Sequence, residues 1–189
     1  MKGLNSRDGG ISEVFGVMLI LTITLIVACV VTVFAGGFSP DTKTDAISAN
    51  IVASDLYMDR DNSCAYILFD HISGDPVDLN AVVITLGRRD SAKMTTRITN
   101  ADQPTGFDET GSRLTHYLKN YGEDKSTITA GDRFVLYADD CDDEGIYWQN
   151  EDADERFSVR MNDYITYRIV DTRSNRPISS GKIPVSSTG

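Results

Sequence analysis

The stretch Met1–Phe38, MKGLNSRDGGISEVFGVMLILTITLIVACVVTVFAGGF, decides how the rest of the chain is read. A short leader carrying Lys2, Arg7 and Asp8 ends in Gly9-Gly10 and runs directly into an apolar segment. From Val14 to Phe38, 25 residues pass without a charge. As a helix rising about 1.5 Å per residue they span about 37 Å, enough to cross a bilayer with some tilt.

Three plain readings compete for this segment. A cleavable secretory signal, with Val33-Phe34-Ala35 as its cleavage site, needs an apolar core of only about 7 to 15 residues, and this run is longer and rich in β-branched residues. A plain N-terminal anchor, oriented by Lys2 and Arg7 on the cytoplasmic side, explains the run but not the junction of Gly9-Gly10 with Ile11-Ser12-Glu13-Val14 just before it. The core helix of a soluble domain should be amphipathic, yet here apolar residues occupy every face and only Thr22, Thr24 and Thr32 interrupt them.

The combination resembles the N-terminus of euryarchaeal type IV pilins. The residues that carry the resemblance are the leader with Lys2 and Arg7, Gly10 at the junction, Ile11-Ser12-Glu13-Val14 after it, Gly16-Val17-Met18-Leu19-Ile20, and the closing Phe34-Ala35-Gly36-Gly37. They lie within the first 37 of 189 residues. Glu13 stands where these pilins often carry Pro. The resemblance implies a class III signal peptide cut by a prepilin peptidase on the cytoplasmic side, with Gly10 before the cut and Ile11 as the new N-terminus. The apolar helix then stays on the mature subunit, which waits in the membrane and polymerises into an extracellular filament.

The chemistry of such a helix follows from its side chains. A surface of Ile, Val, Leu and Thr on all sides is satisfied by lipid or by other copies of itself, and small residues such as Gly16 and Ala28 permit close approach. Ser12 reads as an N-cap, and Glu13 in the first turn favours the positive end of the helix dipole, where it can also meet the amino terminus of a neighbour. Ser12, Glu13, Val14 and Gly16 are therefore the candidate assembly residues. The partners this reading implies are further copies of the chain, the prepilin peptidase and the membrane.

The remaining length, about 150 residues, suits one globular domain. A formal net charge of −10 excludes nucleic acid as a partner class, because a polyanion is repelled by an acidic surface. Of three cysteines, Cys29 lies within the apolar helix and reads as a small hydrophobe, while Cys64 and Cys141 are a candidate disulfide for an oxidising compartment. Neither has CxxC spacing, so zinc is not expected.

After the helix the pattern changes period. Ser39–Thr44 (SPDTKT) reads as the exit, with Pro40 ending the helix. Short runs rich in β-branched and aromatic residues recur at 65–69, 81–86, 94–98, 134–137, 157–159 and 164–170, separated by turn sequences such as Ser73-Gly74-Asp75-Pro76 and Ser174-Asn175-Arg176-Pro177. Tyr164–Asp171 alternates, and Pro184 places the last strand, 182–185, at an edge. Residues 100–129 read as a long excursion over the surface. The expectation is an α+β chain: leader 1–10, membrane or filament-core helix 11–38, and an extracellular antiparallel β-sandwich of immunoglobulin-like character, 39–189.

Sites for catalysis are wanting. His71 and His116 sit in no motif, and no GxSxG, P-loop or HExxH occurs, so no enzyme and no cofactor are expected. The acidic segment 139–151 approximates a calcium loop, with Asp140, Asp142, Glu144 and Glu151 at the first, third, fifth and twelfth positions and Gly145 at the sixth. The alternative is a solvated acidic loop, with Tyr147 and Trp148 anchoring it on the sandwich. The function expected is that of a structural pilin subunit for surface or cell adhesion. The alternatives are a membrane-anchored β domain that binds an external partner, and a minor pilin that primes or tips a filament.

Overall fold

The structure is a computed structural model of the chain and describes residues 9–37, 46–88, 91–149 and 156–186. The leader residues 1–8, the SPDTKT segment and Glu151 lie outside the described residues. The chain divides into two units, Met1–Lys43 and Thr44–Gly189.

The first unit contains one helix, α1 (Gly9–Gly37). It begins three residues ahead of Ser12, so Ser12 is part of its first turn rather than its cap. Every described side chain from Val14 to Val31 is exposed. The hydroxyls of Thr22 and Thr24 turn back onto the helix, Thr22 donating to the carbonyl of Met18 at 2.6 Å and Thr24 to those of Ile20 and Leu21. Such back-bonding satisfies the threonines internally, which fits a helix whose surroundings offer no water.

The described residues of the second unit form thirteen strands, all pairing antiparallel. One sheet has the order β1 (Ala49–Asp59), β2 (Cys64–Gly74), β8 (Arg133–Tyr137), β6 (Leu118–Asn120). The facing sheet has the order β13 (Arg176–Pro184), β12 (Tyr164–Asp171), β4 (Val82–Arg88), β5 (Ser91–Ile98). A small sheet of β11 (Phe157–Arg160), β10 (Gly145–Trp148) and β9 (Asp140–Cys141), and the pair β3 (Val77–Asp78) with β7 (Thr127–Ile128), complete the domain. The last strand is an edge, as Pro184 requires.

Alternation builds the core between the two large sheets. Ile67, Phe69, Phe134 and Leu136 point inward from one side, and Ile84, Leu86, Ile165, Tyr167 and Ile169 from the other. Phe69 stacks on Phe134 at 4.9 Å and meets the edge of Tyr167 at 5.1 Å, so aromatic contacts join the sheets. Residues 64–67 are buried in succession because β2 is covered on both faces. Its outer face holds a second apolar cluster of Cys64, Tyr66, Val135 and Tyr137, capped by Leu114 from the 100–129 excursion.

β1 was not legible as a strand in the sequence, since ANIVASDLYMD mixes phases. The structure gives the reason: two bulges, at Asn50/Ile51 and Ala53/Asp55, break the alternation of its pairing with β2. The bulged edge is closed by the opposite sheet. The Tyr167 hydroxyl accepts from the Ala53 N–H at 3.0 Å, and Ser179 donates to the Ile51 carbonyl. Tyr167 passes directly over Gly181, where an added Cβ would lie 2.6 Å from the phenolic oxygen, so glycine is needed for approach rather than for flexibility. Tyr167→Phe is expected to leave the Ala53 N–H unpaired and to lower stability by about 1–2 kcal/mol. The change should be read as a lower urea midpoint at unchanged slope.

Candidate functional site

The described part of the candidate assembly site is a helix surface. Val14 and Gly16 stand exposed on α1, and a Cβ built at Gly16 meets nothing within 4 Å, so this point is open to close approach by another backbone. Gly10, Ile11, Ser12 and Glu13 lie in its first two turns. The segment Val14–Val31 is long and apolar enough to cross a membrane, and none of it is buried within the chain. Burial of this surface must therefore come from lipid or from another molecule.

The acidic segment folds differently from a calcium loop. Asp140–Cys141 and Gly145–Trp148 are paired strands, so the stretch is a tight β-hairpin whose turn is Asp142–Glu144. Asp142 is committed to that turn: its carboxylate accepts from the N–H groups of Glu144 and Gly145 and from the Tyr147 hydroxyl, at 2.8, 3.0 and 2.9 Å. Burial acts to raise its pKa, but these three donors outweigh it and hold the carboxyl below the usual range. Gly145 is a close-packing position, since a Cβ there would collide with the Val159 carbonyl of β11. Among the described residues no group of three or more His, Cys, Asp or Glu is placed to hold a metal ion. The loop spacing matched a calcium site in sequence, whereas the strand at 145–148 directs the chain along a sheet rather than around an ion.

Trp148 anchors this hairpin. It is wholly buried, donates from Nε1 to the Tyr137 carbonyl at 2.9 Å and packs against Phe157. Asp139, just before the hairpin, ties it to the excursion: its carboxylate accepts from Thr105, the Tyr117 hydroxyl and the Gln149 N–H. A cavity of about 320 Å³ opens beside it, lined in part by Phe107, Asp140, Tyr147 and Arg156. Its carboxylates are already occupied, Asp139 by these donors and Asp140 by an ion pair to Arg156 at 3.9 Å.

Cys64 and Cys141 are brought together in position, but both are free thiols. Cys141 Sγ reaches the backbone carbonyl of Cys64 at 3.4 Å, not its sulfur. The sandwich itself separates them: Cys64 belongs to the outer cluster with Tyr66 and Leu114, whereas Cys141 belongs to the main core with Trp148. Burial pushes the two thiols up to about 12 and about 11, so neither is a thiolate at neutral pH. His71 is also buried, with neither ring nitrogen hydrogen-bonded, and His116 is exposed on the excursion.

The feature that sequence reading missed is the gathering of carboxylates at one end of the domain. The turn after β1 and the β9–β10 turn lie side by side, joined by an ion pair between Arg60 and Asp143 at 3.2 Å and by the Cys141 thiol on the Asp59 carbonyl. Asp59, Asp61, Asp140, Asp142, Asp143 and Glu144 thus share one end, although the first two are some eighty residues from the others in sequence. This end lies an 11-residue strand, about 35 Å, from the point where β1 enters the domain.

Comparison with known proteins bears on the N-terminal part. Residues 9–51 match the family described as Archaeal Type IV pilin, N-terminal. The resemblance carried by the junction and the helix therefore holds. No curated protein matches the chain. Among solved structures, the chain is similar to the archaellum periplasmic stator protein FlaG from Sulfolobus acidocaldarius, at 10% identity and a TM-score of 0.42, covering 71% of this chain and 99% of that one. It is also similar to the FlaF and FlaG stator complex from the same organism, at 9% identity and a TM-score of 0.37, covering 77% and 94%. Likeness at these scores bears on neither the function nor the assembly of this chain.

Proposed function

We propose that this chain, whose N-terminal segment is of the archaeal type IV pilin kind, is a precursor cut after Gly10 that assembles through α1 into an extracellular filament. The observation that carries this reading is the wholly exposed apolar surface of Val14–Val31, in a segment matched by the pilin family. In the membrane, lipid covers that surface. In the filament, copies of α1 cover one another, with Gly16 and Ala28 letting helices approach and the hydroxyls of Thr22 and Thr24 already satisfied along the helix. The β domain then decorates the outside, and adhesion to surfaces or cells is the role assigned to it. Nothing in this mechanism is catalytic: the driving interaction is burial of helix surface. The second reading, a membrane-anchored β domain that binds an external partner, uses the same helix with lipid as its permanent cover.

Intact mass and N-terminal sequencing of the native protein, from membranes and from sheared surface material, test the proposal. A chain beginning at Ile11 in both fractions is expected, and Gly10 replaced by a bulky residue such as Leu should leave the leader attached and empty the sheared fraction. Recovery of uncut protein from membranes alone would instead establish the anchored domain. A start near Gly36 would make the chain an ordinary secreted protein.

A further inference from the structure

The sheet of β13, β12, β4 and β5 carries a surface at odds with the rest of the chain. The whole protein holds 28 carboxylates against 18 Lys and Arg. These four strands hold six Lys and Arg, and their one carboxylate, Asp171, is turned inward and is 1% exposed. Pairing sets the outward residues in continuous rows. Arg97, Thr85, Arg168 and Ser180 lie opposite one another across all four strands, and the next row is Thr95, Gly87, Thr166 and Lys182. Arg97, Arg168 and Lys182 are exposed. None of the three has an ion-pair partner among the described residues, and Lys182 rests over the ring of Tyr164 instead. The face is threonine-rich and cationic, and Arg97, Thr95, Arg168, Thr166, Ser180 and Lys182 are exposed along these rows.

We propose that this face docks on the carboxylate-rich end of a second copy of the chain, Asp59–Asp61 together with Asp140–Glu144. Charge complementarity selects the occupant. An acidic chain has few places where another copy of itself is attracted rather than repelled, and on this face three exposed cations are aligned with no exposed carboxylate on the same four strands. The opposing end carries six carboxylates, of which, among the described residues, Asp143 is paired with Arg60 and Asp140 with Arg156. The two surfaces are different patches of one subunit, so the contact is heterologous: each copy offers both halves, and repetition continues into a helical array rather than closing as a dimer. The inference rests on the filament reading above and deepens it, assigning the β domain its own share of subunit order beyond that of α1. Thr95 and Ser180, exposed between the cations, supply neutral donors suited to carboxylate acceptors, whereas the Thr166 hydroxyl already donates to the Gly87 carbonyl.

The test is zero-length carbodiimide cross-linking of the full chain in detergent micelles, using a mixture of ordinary and nitrogen-15-labelled protein so that links between copies are told from links within one. The expected product is a mixed-isotope peptide joining Lys182 to a carboxylate of residues 59–61 or 140–144. Arg97→Glu with Arg168→Glu should lower its yield by about tenfold, and mixing that variant with Asp61→Lys/Glu144→Lys protein should restore association between the two variants, followed as links that join substituted position 61 or 144 of one to substituted position 97 or 168 of the other. All these positions are solvent-exposed, and far-ultraviolet circular dichroism checks that each variant folds. Absence of the mixed-isotope link, links from Lys182 to other regions only, or failure of the reversed pair to restore association would overturn the docking. Links in a protein whose native host sheds no filament would sink the filament reading alone. Filaments from wild type and from Arg97→Glu/Arg168→Glu in equal yield, with adhesion to an anionic surface lost in the variant, would assign the face to an external partner and overturn the second copy as its occupant.

Discussion

Ile23→Arg is expected to remove the protein from sheared surface material altogether. Ile23 sits at the centre of α1 (Gly9–Gly37) and is 51% exposed. Placing a guanidinium at this depth costs about 3–4 kcal/mol relative to an aliphatic side chain in membrane insertion, a factor of several hundred in an equilibrium. In a filament the penalty recurs for every subunit, since each copy buries its helix against others carrying the same charge. Ile23→Leu keeps both the area and the apolarity and should assemble as wild type. Quantitative blotting of membrane and sheared fractions checks both variants. Normal filament yield from Ile23→Arg would mean that the middle of α1 is not packed in the assembly.

Trp148→Ala is expected to cost the β domain about 3–5 kcal/mol, a large part of the stability of a domain of this size. The indole is fully buried, so its removal leaves a void beside Phe157 in the main core, and the Tyr137 carbonyl loses the indole N–H. Urea unfolding followed by circular dichroism gives the value directly. Trp148→Phe, which fills most of the space but cannot donate, should recover more than half of the loss. The consequence extends to the surface, because Trp148 pins the hairpin that presents Asp142, Asp143 and Glu144.

The legibility of the sequence varied with the range of the interactions that specify each element. The helix was legible because an uninterrupted apolar run has few other solutions. Strands β2, β4, β5, β8, β11 and β12 were legible because one or both of their faces are buried, so alternation or an apolar run survives in the sequence, whereas of β13 only 182–185 was legible, since Ile183 is the one buried residue of Arg176–Pro184. β1 was hidden because its bulges put consecutive residues out of phase, and β10 because its four residues lie in a stretch dominated by carboxylates. Of the two readings of 140–151, a calcium loop and a solvated acidic loop, the first needs a backbone that curls around an ion, and residues 145–148 extend as a strand.

By itself the sequence determined the membrane-length helix, its pilin-like junction, the β character of the second unit and the final edge strand, all consequences of local composition and period. Only the tertiary structure decided which distant residues share a surface. It put Tyr167 over Gly181 to close the β1 edge, set Cys64 and Cys141 on different sides of one sheet, gathered carboxylates from two hairpins at one end, and aligned Arg97, Arg168 and Lys182 on a face without exposed carboxylates. The physical reason is that strand order and register are fixed by burial summed over the whole sandwich, a quantity that no single segment contains.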